Sequence, residues 1–231
     1  MLASSPLLLA VAACGDGDDD PFTGAPPPTS EAEDETEAGL LPCAENRHLV
    51  AFDVMGFLTQ ENIESLGPWL EGVPPTPRAG STELVQTYRE KGYEVLYITT
   101  IPPDFFGART ATEVVNEWLQ ASGYPLGNGT HFWAWDGQER PDGQTWVNLT
   151  DELLRFSSEG VGIDFSYTEN TDKTYAFATG GVPPEGNFTL TPVEGLGEGT
   201  PTSAPTTLIP NDDLVAHTTT VQQLPPVCQV G

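Results

Sequence analysis

The chain has 231 residues and a formal net charge of −26 at pH 7; it is 38% hydrophobic and holds five Trp. That length allows one or two domains, and about 150 to 190 residues remain for a single core once polar ends are set aside. So acidic a chain repels nucleic acid and anionic lipid at long range, which leaves cationic partners, divalent metals or plain colloidal solubility as what the charge serves.

Residues 6–13 read Pro-Leu-Leu-Leu-Ala-Val-Ala-Ala, and Cys14-Gly15 follows. The run is too short to cross a bilayer. It has the length of a signal-peptide core with small residues before a cut. Val11-Ala12-Ala13-Cys14 resembles the lipobox of bacterial lipoproteins. The resemblance implies a signal peptide over 1–13 and an acylated Cys14 as the mature N-terminus. No Lys or Arg precedes the run, a departure from the usual pattern. Residues 15–42 then hold nine acids, the run Pro26-Pro27-Pro28 and no Lys or Arg. They offer almost nothing to bury, so 14–42 is expected to be a disordered linker, stretched by charge and proline. The expected location is outside the cytoplasm, on a bacterial cell envelope, with the membrane as partner through the lipid.

A folded domain is expected over 43–192. His48-Leu-Val-Ala-Phe-Asp53 is a short apolar run ending in an acid and reads as a buried strand. Ser81 or Thr82 caps a helix to Lys91 with Leu84, Val85 and Tyr88 on one face, and Gly92 ends it. Tyr93 to Thr99 is the next strand. A helix follows from about Ala108 to Ala121. The aromatic runs between His131 and Val147 flank two Asp-Gly pairs and read as a hairpin. Thr150 caps a short helix with Leu153 and Leu154. Ile163–Tyr167 is a strand, Asp172–Thr179 a helix and Phe188–Leu190 a last strand. Alternation at this spacing predicts an α/β fold with a doubly wound parallel sheet and ligands at the strands' carboxyl ends. Residues 193–231, rich in Thr and Pro, are expected to be irregular and to drape on the domain. His48, His131 and His217 lack metal-ligand spacing. Once Cys14 is set apart, Cys43 and Cys228 are the two cysteines left, just outside the two ends of the fold, and an exported pair there is expected to close a disulfide.

Asp53-Val-Met-Gly-Phe-Leu-Thr59 resembles the first motif of haloacid dehalogenase (HAD) type phosphatases, Asp-x-Asp-Gly-Thr-Leu-Thr. Leu96-Tyr-Ile-Thr99 resembles their second motif. Gly123-Tyr-Pro-Leu-Gly127, Thr171-Asp172 with Tyr175 to Phe177, and Gly181-Val-Pro183 resemble the lipin/LNS2 branch, which phosphatidylinositol-transfer-like proteins share. The resemblance spans about Leu49 to Pro192 and implies a HAD-like fold with a minimal cap or none. It implies Asp53 as a nucleophile that forms an aspartyl-phosphate, with Thr99 bonding a phosphate oxygen. It implies Mg²⁺ held by Asp53, the carbonyl of Met55 and Asp172, with Glu169 as alternative to Asp172.

Three positions depart from that pattern. Met55 stands where the family has its general acid/base, and a thioether moves no proton. The motif-three Lys or Arg has no clear match, Arg155 being the nearest candidate. Ile101 stands where relatives often carry Arg. Two readings remain: a binding or structural module with a degenerate site, its partner a small phosphorylated ligand or a protein, or an active Mg²⁺-dependent phosphohydrolase.

Overall fold

The computed structural model describes residues 42–61, 66–134, 146–169, 171–190 and 206–228, side chains excepted at 146, 147, 171 and 172. The lipobox and most of the acidic stretch lie outside these residues. Six strands form one parallel sheet: β1 (His48–Asp53), β2 (Glu94–Thr99), β3 (Thr130–Ala134), β4 (Gly162–Thr168), β5 (Asn187–Thr189) and β6 (Thr207–Leu208). Their spatial order is β3-β2-β1-β4-β5-β6. The chain therefore winds outward from β1 to β3, returns across β1 to β4, and winds outward again on the other side. Such a reversal opens a crevice at the carboxyl ends of the two strands that flank it.

Side chains alternate across the sheet as a strand requires. Val50, Phe52, Val95 and Tyr97 face one layer, where they meet Leu84, Val85 and Tyr88 of α2 (Ser81–Glu90), Val115 and Leu119 of α3 (Ala111–Ala121), and Leu214 and Val221 of α6 (Leu214–Gln222). Leu49, Ala51, Leu96 and Ile98 face the other, against Leu149, Leu153 and Phe156 of α4 (Trp146–Ser158) and Ala176 and Phe177 of α5 (Thr171–Thr179). Both faces are covered, which is why the central strands read as continuous apolar runs. A short α1 (Gly67–Leu70) precedes α2, so the segment between β1 and β2 carries helices rather than a second sheet among the described residues. The α3 N-terminus is closed by a capping box: Glu113 N–H donates to Thr110 Oγ1 at 3.2 Å and Thr110 N–H to Glu113 at 2.9 Å.

Two expectations give way. The hairpin expected over 131–147 does not form at its two ends: β3 pairs parallel with β2, and Trp146 and Val147 already belong to α4, while 135–145 lie outside the described residues. Period-2 alternation is real there, since Phe132 packs on one layer and Trp133 on the other. Alternation alone does not say whether the next element returns as a strand. In the C-terminal segment, the described residues 206–228 are not irregular either, while 193–205 and 229–231 lie outside the described residues. Thr207 and Leu208 extend the sheet beside β5, and α6 begins at an Asp213 cap whose carboxylate accepts the Ala216 N–H. Threonine-rich stretches score poorly as helices in isolation, but tertiary packing of Leu214 and Val221 outweighs that propensity.

Cys43 and Cys228 form a disulfide, with Cα atoms 4.8 Å apart. It joins the segment just before β1 to the segment after α6. Gly92, at φ +92, closes α2 directly beneath it, and a Cβ there would overlap the Cys228 sulfur.

Candidate functional site

Asp53 ends β1 at the centre of the sheet and is fully buried. Its Oδ1 accepts a hydrogen bond from Lys173 Nζ at 2.6 Å, and its Oδ2 accepts from Thr168 Oγ1 at 2.9 Å. The Met55 backbone N–H bonds to it as well. Thr168 is the last residue of β4, and Lys173 lies in the first turn of α5, so the pair forms across the β1/β4 crevice. Burial pushes the Asp53 carboxyl above the ordinary carboxylate range; the Lys173 ammonium and the Thr168 hydroxyl act against that rise.

The turn after β1 shapes the rest of the edge. Thr59 N–H reaches back to Val54 O at 3.1 Å, a wide turn that brings Gly56 to φ +94. Gly56 N–H is held by Thr59 Oγ1 at 2.9 Å. Glycine is needed for both the backbone angle and the space, because a Cβ there would overlap the carboxylate of Glu169. Arg78 spans the same turn, donating through Nε to Phe57 O at 3.0 Å and through Nη2 to Gly56 O at 2.5 Å. Its Nη2 also lies 3.6 Å from Glu169 Oε2. Burial raises the Glu169 pKa, with Arg78 opposing and Asp53 adding to the rise.

Of the residues expected at the site, Asp53, Met55 and Glu169 meet at this edge. Thr99 ends β2, is fully buried, and its Oγ1 accepts the Ile101 N–H at 3.2 Å. Asp172 precedes Lys173 in α5, but its side chain lies outside the described residues. Arg155 does not serve the site: it is exposed on α4, bound to Glu152 and Glu159. The cation on Asp53 is Lys173, which the sequence reading passed over. Its signal was faint: it is the last of only eight Lys and Arg in the chain and directly follows the motif-like Thr171-Asp172.

A divalent cation needs several oxygen ligands around it. Both Asp53 oxygens are engaged by hydrogen-bond donors, one of them an ammonium. No cluster of three or more His, Cys, Asp or Glu that could hold a metal is present among the described residues. The described side chains therefore do not fit a divalent ion on Asp53. Met55 is buried and borders a cavity of about 130 Å³ whose wall includes Trp69 and the acid Glu61.

The LNS2 domain family of PITM 1-3 matches residues 50–191. Among solved structures, D,D-heptose 1,7-bisphosphate phosphatase from B. bronchiseptica, complexed with magnesium and phosphate, is similar at 13% identity and a TM-score of 0.50, over 75% of this chain and 98% of that one. The same phosphatase from Burkholderia thailandensis is similar at 16% identity and a TM-score of 0.44, over 77% and 100%. No curated protein matches the chain. At the first structure's identity the likeness is one of fold: a HAD-like parallel sheet with flanking helices. With more than half of its length matched, the chain belongs to the LNS2 domain family of PITM 1-3, on a HAD-like α/β fold.

Proposed function

We propose that this protein is a lipid-anchored, extracytoplasmic module whose HAD phosphatase-like domain binds rather than turns over its ligand. The observation that supports the reading is the state of Asp53. A nucleophile must present an electron-rich lone pair to phosphorus; here Lys173 binds one carboxylate oxygen and Thr168 the other, which restrains both and draws charge from them. Met55, in the proton-transfer position implied by the family motif, supplies no proton, and the loss of such a group typically lowers turnover by about 10²–10⁴-fold. Hydrolysis of aryl phosphates by the purified chain is expected at background and equal in wild type and Asp53→Asn. Ordinary turnover that vanishes in Asp53→Asn refutes this reading.

That result would promote the second reading, a Mg²⁺-dependent phosphohydrolase; the heptose bisphosphate phosphatase to which the fold is similar is complexed with magnesium and phosphate. Glu61 favours it, as a carboxylate bordering the same cavity as Met55. Glu61→Gln would then lower the rate together with Asp53→Asn.

The apolar run before Cys14 and the acidic stretch after it support the anchor. Each buried CH₂ contributes about 0.8 kcal/mol, so stable attachment takes two or more acyl chains. Expressed in a bacterium, Cys14→Ser is expected to lose lipid label and leave the membrane fraction. Equal partitioning of wild type and variant rules the anchor out.

A further inference from the structure

We infer that Lys173 is the resident counter-cation of this site, so that Asp53 is neutralised by a side chain of the protein itself and takes no divalent metal. The ammonium sits 2.6 Å from Asp53 Oδ1, with both side chains almost wholly removed from water. A buried carboxylate must be paired or protonated. A metal and a protonated lysine are alternative ways to pair it, and the lysine disfavours the metal: an ion bound to either Asp53 oxygen would sit within a few ångströms of a fixed positive charge.

The neighbouring charges follow the same pattern. Glu169 is a second acid at this edge, and the Arg78 guanidinium lies 3.6 Å from it. Arg78 is fixed by the Gly56 and Phe57 carbonyls, which turns those oxygens toward a cation already supplied by the chain. Asp53 and Glu169 thus each have a cation of the chain beside them. An acid already paired with such a cation has less to draw Mg²⁺ out of its hydration shell.

The inference shares Asp53 with the binding-module reading but does not depend on the absence of turnover, and its test reads metal occupancy and stability rather than activity. The acidic chain will collect some cations loosely, so the comparison that counts is between wild type and Asp53→Asn. In a Mn²⁺ titration of the full chain followed by electron paramagnetic resonance, the two are expected to bind alike. Their melting temperatures in chelator and in millimolar Mg²⁺ are expected to shift equally. A Mn²⁺ site of unit stoichiometry that disappears in Asp53→Asn overturns the inference.

Lys173→Met gives the second arm. It strips the counter-charge from a buried acid and should lower Tm by about 10 °C, or prevent folding. The double variant Asp53→Asn with Lys173→Met removes both charges and should regain most of that loss. Were Lys173→Met as stable as wild type, the lysine would not be the counter-charge and the inference would fail.

Discussion

At the scale of single residues, Gly56 decides how the acids of the edge lie. Its φ of +94 belongs to the region that residues with a Cβ avoid, and the space that a Cβ would need is filled by Glu169. Gly56→Ala is expected to destabilise the fold by about 1–3 kcal/mol, from backbone strain and from displacement of that carboxylate. Chemical denaturation of Gly56→Ala, Glu169→Ala and the double variant separates the two contributions. The double variant should recover the steric part and retain the backbone part. If Gly56→Ala alone matches wild type, the turn adopts another conformation at no cost and the site geometry described above does not hold.

At the scale of elements, α6 closes one layer through an aromatic contact that contains a titratable ring. His217 Nε2 lies 2.9 Å from the Tyr167 hydroxyl, which in turn bonds the Tyr88 hydroxyl at 2.6 Å. Its ring packs edge-on against Phe188 at 4.6 Å between centroids. Burial lowers the His217 pKa below its ordinary value of 6.5. The folded state then binds fewer protons than the unfolded one, so its stability rises with pH across that interval. The contribution is fully present above about pH 6.5 and is lost as pH falls from there through the folded-state pKa. Thermal melts between about pH 7.5 and pH 5.5 should show Tm falling on acidification, and His217→Gln should flatten that slope. An unchanged slope in the variant would mean that other groups carry it. The docking itself needs no charge: Leu214, Thr218 and Val221 of α6 are buried whatever the histidine does.

At the scale of the whole molecule, the two ends of the folded unit are tied together more than once. The disulfide spans 185 residues of sequence. Beside it, Asn46 Nδ2 donates to Val227 O at 2.7 Å, Val227 N–H to Lys91 O at 2.9 Å, and Lys91 Nζ to Gln222 O at 2.8 Å. Chain entropy alone gives about 5 kcal/mol for closing so long a loop. Because these hydrogen bonds help to dock the ends, Cys43→Ala with Cys228→Ala is expected to cost less, about 2–4 kcal/mol, and to lower Tm by roughly 5–15 °C. Differential scanning calorimetry with and without reductant checks this. Coincident melts would show that the ends are held by their hydrogen bonds alone.

The sequence by itself determined the framework and the nucleophile-like acid. Apolar runs of the right length mark β1 and β2, helical periodicity marks α2 and α3, and both signals arise from side chains a few residues apart. Asp53 was legible because an acid at the end of a buried strand is conspicuous within six residues. The pairing of Cys43 with Cys228 was legible too, as what remained once Cys14 was set apart, although only the folded chain brings their Cα atoms to 4.8 Å. The tertiary structure alone decided what faces Asp53. Lys173 is 120 positions away in sequence and reaches the acid because β4 lies parallel to β1 and α5 starts at its carboxyl end. Arg155 stood as the candidate cation on order along the chain, yet its helix turns that side chain to solvent. The same limit explains β3 and α6: whether Trp146 continues a hairpin or opens a helix, and whether a Thr-rich tail packs, depends on which surface the sheet leaves to be covered. Periodicity is a local property of the chain; the partner of a buried charge and the covering of an apolar face are set by residues that only folding brings together.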